Sequence, residues 1–193
     1  MDLLIFAGSL RADSCNKKFA REALRLAKEA GVEGEFLDLK DYPMPPYDGD
    51  IEAASGIPET TIRLGKKIAS ADALLISTPE YNGSIPGVLK NVVDWLSREK
   101  PVSLSGKHLL LLAASPGALG GVRSLWHSRQ PFEVLGVHVF PAMVGLPNAY
   151  SAFDEQGQLK EEKTLQNLRK ILDQFIKHAS TNLGKSLSDP PHT

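Results

Sequence analysis

Three short, almost unbroken apolar runs constrain this chain most: Leu3 to Ala7, Ala73 to Ser77 and His108 to Ala113. A strand with one wet face alternates apolar and polar residues. An unbroken run describes a strand buried on both faces, the condition of a parallel sheet covered by helices. Each run stops at turn-forming residues, Gly8-Ser9, Thr78-Pro79 and Ser115-Pro116-Gly117.

Helical spacing fills the intervals. Phe19, Ala20, Ala23, Leu24 and Ala27 share a stripe over residues 15–30, with Gly31 as the stop. Ile62, Gly65 and Ile68 do so over 58–70, with Pro58 in the first turn. Ile85, Val88, Leu89, Val92 and Leu96 mark residues 85–97; Trp95 falls off that stripe and is expected at a subunit interface. A further helix is expected from Gly121 to about Gln130, ended by Pro131. Leu165, Leu168, Leu172, Phe175, Ile176 and Ala179 define a closing helix. Weaker strand signals lie at Glu33 to Leu39 and at Gly136 to Phe140. Residues 41–58, with Pro43, Pro45 and Pro46, read as a long loop, and 182–193 as a frayed tail.

Strand and helix thus alternate five times. The expectation is one α/β domain over residues 1–181: a three-layer sandwich around a five-stranded parallel sheet in the order 2-1-3-4-5. In such sheets ligands sit at the carboxyl ends of the strands, where the order reverses. That picks out residues 8–16, 78–84 and 114–121.

Composition removes other classes. Lys and Arg number 22 against 23 Asp and Glu, so no basic field recruits nucleic acid or anionic lipid. The one cysteine, Cys15, excludes an internal disulfide and a multi-cysteine metal site. The five histidines show no metal spacing. No apolar run nears the ~18–20 residues of a membrane span, and the N-terminus lacks a basic leader, so a cytoplasmic setting is expected.

The first loop, Gly8-Ser9-Leu10-Arg11-Ala12-Asp13-Ser14-Cys15-Asn16, opens a helix. Free amides and the helix dipole favour an anion there; Ser9, Ser14 and Asn16 can donate to phosphate, and Arg11 adds a charged fork. Residues 11–28 carry six basic residues against two acidic ones. Without a ligand the same loop is an ordinary turn with Ser14 as N-cap. The second, Thr78-Pro79-Glu80-Tyr81-Asn82-Gly83-Ser84, can hold backbone amides against a planar heterocycle, or simply turn and cap a helix. The third, Ala114-Ser115-Pro116-Gly117-Ala118-Leu119-Gly120-Gly121, admits a ring close to the backbone, or is a flexible connection.

These residues carry a resemblance. Gly8-Ser9-Leu10-Arg11…Ser14…Asn16, Pro79-Glu80-Tyr81-Asn82-Gly83-Ser84-Ile85-Pro86-Gly87-Val88-Leu89-Lys90-Asn91…Asp94-Trp95 and Ser115…Gly117…Gly120-Gly121 resemble the NADPH-dependent FMN reductase-like family of quinone, chromate and azo-dye reductases. The resemblance spans roughly residues 1–180. Cys15 stands where an apolar residue is more usual. The resemblance implies a flavodoxin-like fold, non-covalent FMN, NADPH or NADH as co-substrate, a small-molecule electron acceptor, and a homodimer or homotetramer. It places Ser9, Arg11, Ser14 and Asn16 on the FMN phosphate. It places Pro79, Glu80, Tyr81, Asn82 and Gly83 along the isoalloxazine, with Ser115, Gly117, Gly120 and Gly121 closing the other side. No catalytic side chain and no metal ligand is expected, because the cofactor carries the reactivity. Two other readings share the fold: a flavodoxin-like electron carrier and a flavin-dependent regulator.

Overall fold

The computed structural model describes residues 1–183. Strands β1 (Asp2–Ala7), β2 (Glu33–Leu37), β3 (Ala73–Ser77), β4 (His108–Ala114), β5 (His138–Val139) and β6 (Val144–Leu146) form one parallel sheet. Its order is β2-β1-β3-β4-β5, with β6 also on β4. This is the expected 2-1-3-4-5 sheet, and the register places Leu3, Ala73 and His108 side by side.

The unbroken apolar runs serve two cores. Leu3, Ile5, Leu75, Leu110 and Leu112 face one layer, formed with α1 (Cys15–Glu29) and α6 (Glu162–Leu183). Leu4, Phe6, Leu74, Ile76, Leu109 and Leu111 face the other, formed with α3 (Glu59–Ser70), α4 (Gly87–Leu96) and α5 (Val122–Val134). Successive side chains point to opposite faces, so a strand covered on both sides has no polar position to show.

Four local expectations are corrected. Residues 49–55 of the proline-bearing segment form a helix, α2 (Gly49–Ser55), capped by Asp48, whose carboxylate accepts from Asp50 N at 2.8 Å. Helix α5 continues through Pro131 to Val134. The missing N–H falls in the last turn, where burial of Phe132 offsets it. The fifth strand splits into β5 and β6 around Pro141, which has no N–H for the β4 ladder. Helix α6 runs on to Leu183, so 182 and 183 are helical; the rest of the expected tail, 184–193, lies outside the described residues.

Trp95 is also corrected. It is 0% exposed: its ring meets the edge of Tyr47 at 5.0 Å and its Nε1 donates to Pro45 O at 2.8 Å. Asn91 holds the same segment, accepting from Tyr47 N at 2.8 Å and donating to Pro45 O at 2.9 Å. The proline-bearing segment covers the side of α4 that the helical stripe left bare.

Candidate functional site

The carboxyl ends of β1, β3 and β4 bring the three loops to one edge. They enclose an open cleft of about 210 Å³. Ser9, Arg11, Ser14, Asn16, Pro79, Glu80, Tyr81 and Ser115 line it, as expected from sequence. Asn82, Gly83, Gly117, Gly120 and Gly121 do not. Cys15, Ala114, Pro116 and Tyr150 line it and were not expected. A hollow of similar size between Asp2, Gly34, Lys67 and Ser70 lies at the amino ends of the strands and gathers none of the loop residues.

At the first loop, Ser14 caps α1, its Oγ accepting from Lys17 N at 3.4 Å. The amides of Cys15 and Asn16 have no acceptor within the helix, and none elsewhere among the described residues. Ser9 Oγ accepts from Arg11 N at 3.3 Å, which leaves its own proton free to be donated. The exposed Arg11 guanidinium has no partner among the described residues. The basic excess of this segment does not converge here. Lys17 is buried against Asp38 at 2.6 Å, Arg25 pairs with Glu22 and Glu29, and Lys18 pairs with Asp13. Among the residues lining the cleft, Arg11 is the one cation.

Asn16 is differently employed than expected. Its Nδ2 donates to Ala114 O at 2.8 Å, and its Oδ1 accepts from Ala114 N and from Ser77 Oγ, both at 2.8 Å. It ties α1 to the ends of β3 and β4, and only one amide proton is left for a ligand. Cys15 Sγ donates to Ala149 O at 3.6 Å, and burial pushes its thiol pKa up despite the helix N-terminus. It is not a reactive thiolate.

The second loop is a two-residue hairpin. Tyr81 and Ser84 exchange both backbone hydrogen bonds, 3.1 and 3.0 Å, around Asn82 (φ 51°) and Gly83 (φ 76°). Two left-handed residues in succession explain Asn-Gly. Helix α5 holds this hairpin through its first turns. Arg123 Nε donates to Glu80 Oε1 at 2.7 Å, Ser124 Oγ to Pro79 O at 2.8 Å, and His127 Nδ1 lies 3.0 Å from Ser84 Oγ. Arg123 and His127, both exposed on α5, thus brace the loop from its solvent side. Burial opposes ionisation of Glu80, but the Arg123 guanidinium and the α5 amides outweigh it and hold the carboxyl below its usual range. A carboxylate so committed is a poor general base near neutral pH.

Two of the third loop's glycines, Gly120 and Gly121, serve packing. A Cβ on Gly120 (φ 61°) would lie 2.9 Å from the Gly145 backbone, and one on Gly121 (φ 84°) would lie 2.8 Å from Ala113 Cβ. They let α5 and the end of β6 close on β4.

The chain matches the NADPH-dependent FMN reductase family over residues 1–151. It belongs to that family. An NAD(P)H-dependent FMN reductase of Pseudomonas aeruginosa is 39% identical over 171 residues, 88% of this chain and 90% of that one. A quinone reductase of Escherichia coli is 34% identical over 177 residues, 91% and 93% of the two chains. The structure of FerB, a flavoenzyme NAD(P)H:(acceptor) oxidoreductase from Paracoccus denitrificans, superposes with a TM-score of 0.79 at 29% identity, covering 93% and 97%.

The chemistry of the cleft lining suits the phosphate of the FMN that this family's name carries. Two unpartnered helix amides, the Ser9 and Ser14 hydroxyls and an unpaired guanidinium are a donor set for a phosphate dianion. The rigid hairpin beside them offers main chain and the Tyr81 ring to a planar group.

Proposed function

We propose that this protein is an FMN-dependent NAD(P)H oxidoreductase that reduces quinones or similar acceptors by two electrons. One observation carries the reading. A phosphate-type donor set at the α1 N-terminus and residues Pro79, Glu80 and Tyr81 leading into the Asn-Gly hairpin share one open cleft. Bound FMN supplies the two-electron chemistry between nucleotide and acceptor. Ser9, Arg11, Ser14 and the Cys15 and Asn16 amides hold its phosphate. Pro79, Glu80, Tyr81 and Asn82 set its ring through a hairpin braced on α5. Ser115 closes the far side, and Gly117 leaves that approach free of a side chain. The open mouth admits donor and acceptor in turn.

The protein works as a homodimer or homotetramer. Support comes from Trp126 and Val134, apolar side chains exposed on α5 beside the groove between α4 and α5. Among the described residues no helix is long and apolar enough to cross a membrane. The near-neutral charge speaks against a nucleic-acid partner. A nicotinamide nucleotide as co-substrate suits the cytoplasm.

The test is the flavin spectrum. Purified protein should hold one FMN per chain. Anaerobic NADPH or NADH should bleach it without a second protein, and menadione should restore it. Bleaching only when a separate reductase is added would make the protein an electron carrier instead.

A further inference from the structure

Tyr150 lies outside all three loops and yet lines the cleft. It is 70% exposed, while its neighbour Ala149 is 0% exposed. The segment that carries it is pinned on every side. Ser115 N donates to Leu146 O at 3.0 Å, Ala149 N to Ser115 O at 3.1 Å, and Cys15 Sγ to Ala149 O. Asn148 turns the chain at φ 50°, and its carbonyl accepts from Ser151 N at 3.0 Å and Ser151 Oγ at 3.1 Å. Gly120 and Gly145 touch so closely that a Cβ on either would meet the other's backbone at 2.9 Å. Thus a well-fixed backbone presents an aromatic ring that packs against no other ring and whose hydroxyl has no partner among the described residues. The ring stands in the lining of the cleft together with Tyr81, Ser115 and Pro116.

We propose that Tyr150 is the specificity residue for flat acceptors: its ring is the wall on which a planar, uncharged quinone-type molecule stacks beside the flavin site. This rests on the FMN oxidoreductase reading above. Charge favours the acceptor over the nucleotide. A dinucleotide brings a diphosphate, and the cleft offers one cation, Arg11, already placed at the FMN phosphate. The other charged lining residue, Glu80, is anionic and paired with Arg123. A neutral ring needs only a face, and an aromatic side chain supplies it. The electron transfer itself is that of the parent reaction: the acceptor gains two electrons and two protons, NAD(P)H supplying a hydride (two electrons and one proton) and solvent the second proton.

The experiment compares the holoprotein with Tyr150→Ala and Tyr150→Phe. Titration of the oxidised holoprotein with menadione, read from flavin absorbance, measures acceptor binding without turnover. Tyr150→Ala should weaken it about 3- to 10-fold, the range of a lost aromatic contact, and raise KM for menadione similarly. Tyr150→Phe, which keeps the ring, should restore both. Reduction of ferricyanide, which is not planar, should stay within about twofold, as should FMN affinity and the rate of bleaching by NADPH. Three outcomes would overturn the assignment: unchanged menadione binding in Tyr150→Ala, an equal loss with ferricyanide, or a selective loss of FMN or NADPH. The last would put the ring on the cofactor or nucleotide. A parent protein that NADPH cannot bleach would refute the enzyme reading itself, independently of the variants.

Discussion

The side-chain amide of Asn16 hydrogen-bonds both the N–H and the carbonyl of Ala114, each at 2.8 Å, across 98 residues of sequence. One side chain thereby closes the open end of β4 and fixes the helix that carries the phosphate donors to the strand that carries the third loop. Ser77 adds its hydroxyl from β3. The residue holds two loops in register.

Asn16→Asp therefore tests architecture rather than charge. The carboxylate keeps the acceptor, loses the donor to Ala114 O and sets a negative charge against that carbonyl. Leaving a buried carbonyl unpaired costs about 1–3 kcal/mol. FMN-free Asn16→Asp should melt roughly 2–12 °C below the parent. An apo-protein of unchanged Tm, with FMN binding lost, would return Asn16 to a purely ligand-facing role.

Arg11→Ala should behave in the opposite way. The guanidinium is exposed and unpaired among the described residues, so the apo-protein keeps its Tm. Removing a charge-assisted bond to phosphate should weaken FMN about 10–150-fold. Fluorescence titration of apo-protein with FMN measures it, and unchanged affinity would sink the phosphate assignment.

Gly83→Val places a β-branched residue at φ 76°, beside the Arg123 side chain about 3.7 Å away. The hairpin must shift, carrying the main chain of Tyr81 and Asn82 with it. Slower bleaching by NADPH or loss of FMN is expected, read by stopped-flow absorbance. Tyr81→Phe, which keeps the ring, should change little.

His108 sits far from the cleft, at the start of β4. Its ring stacks on His138 at 5.1 Å and meets the edge of His178 from α6 at 5.2 Å, and its buried Nδ1 has no partner among the described residues. Burial first, then its two histidine neighbours, holds its pKa below the ordinary 6.5. The folded protein thus binds fewer protons at this site than the unfolded chain. Stability is complete above about 6.5 and falls as pH drops toward the folded pKa. Apo-protein Tm should decline as pH is lowered below about 6.5, and His108→Phe should flatten that decline. Parallel pH profiles for parent and variant would refute the linkage.

Period and composition are local, and what they encode was legible in the residues. Apolar runs without alternation require a sheet buried on both faces. Glycine and proline just after those runs require loops at one edge. Together they bring residues 8–16, 78–84 and 114–121 to one edge of the sheet, while Glu80 and Ser115 are singled out by the family resemblance. Contacts between distant segments have no such signature, and the tertiary structure alone decided them. Trp95 stands off its helix stripe in sequence, yet lies fully buried because Pro45 and Tyr47 come over it. Gly120 and Gly121 share a ligand-loop pattern, yet are glycines because Gly145 and Ala113 press against them. Asn16 reads as a phosphate donor until Ala114 takes up its amide. Tyr150 carries no motif at all. It reaches the cleft only because Ser115 and Cys15 pin its neighbour there, and a hydrogen bond formed across that distance in sequence leaves no period for the sequence to show.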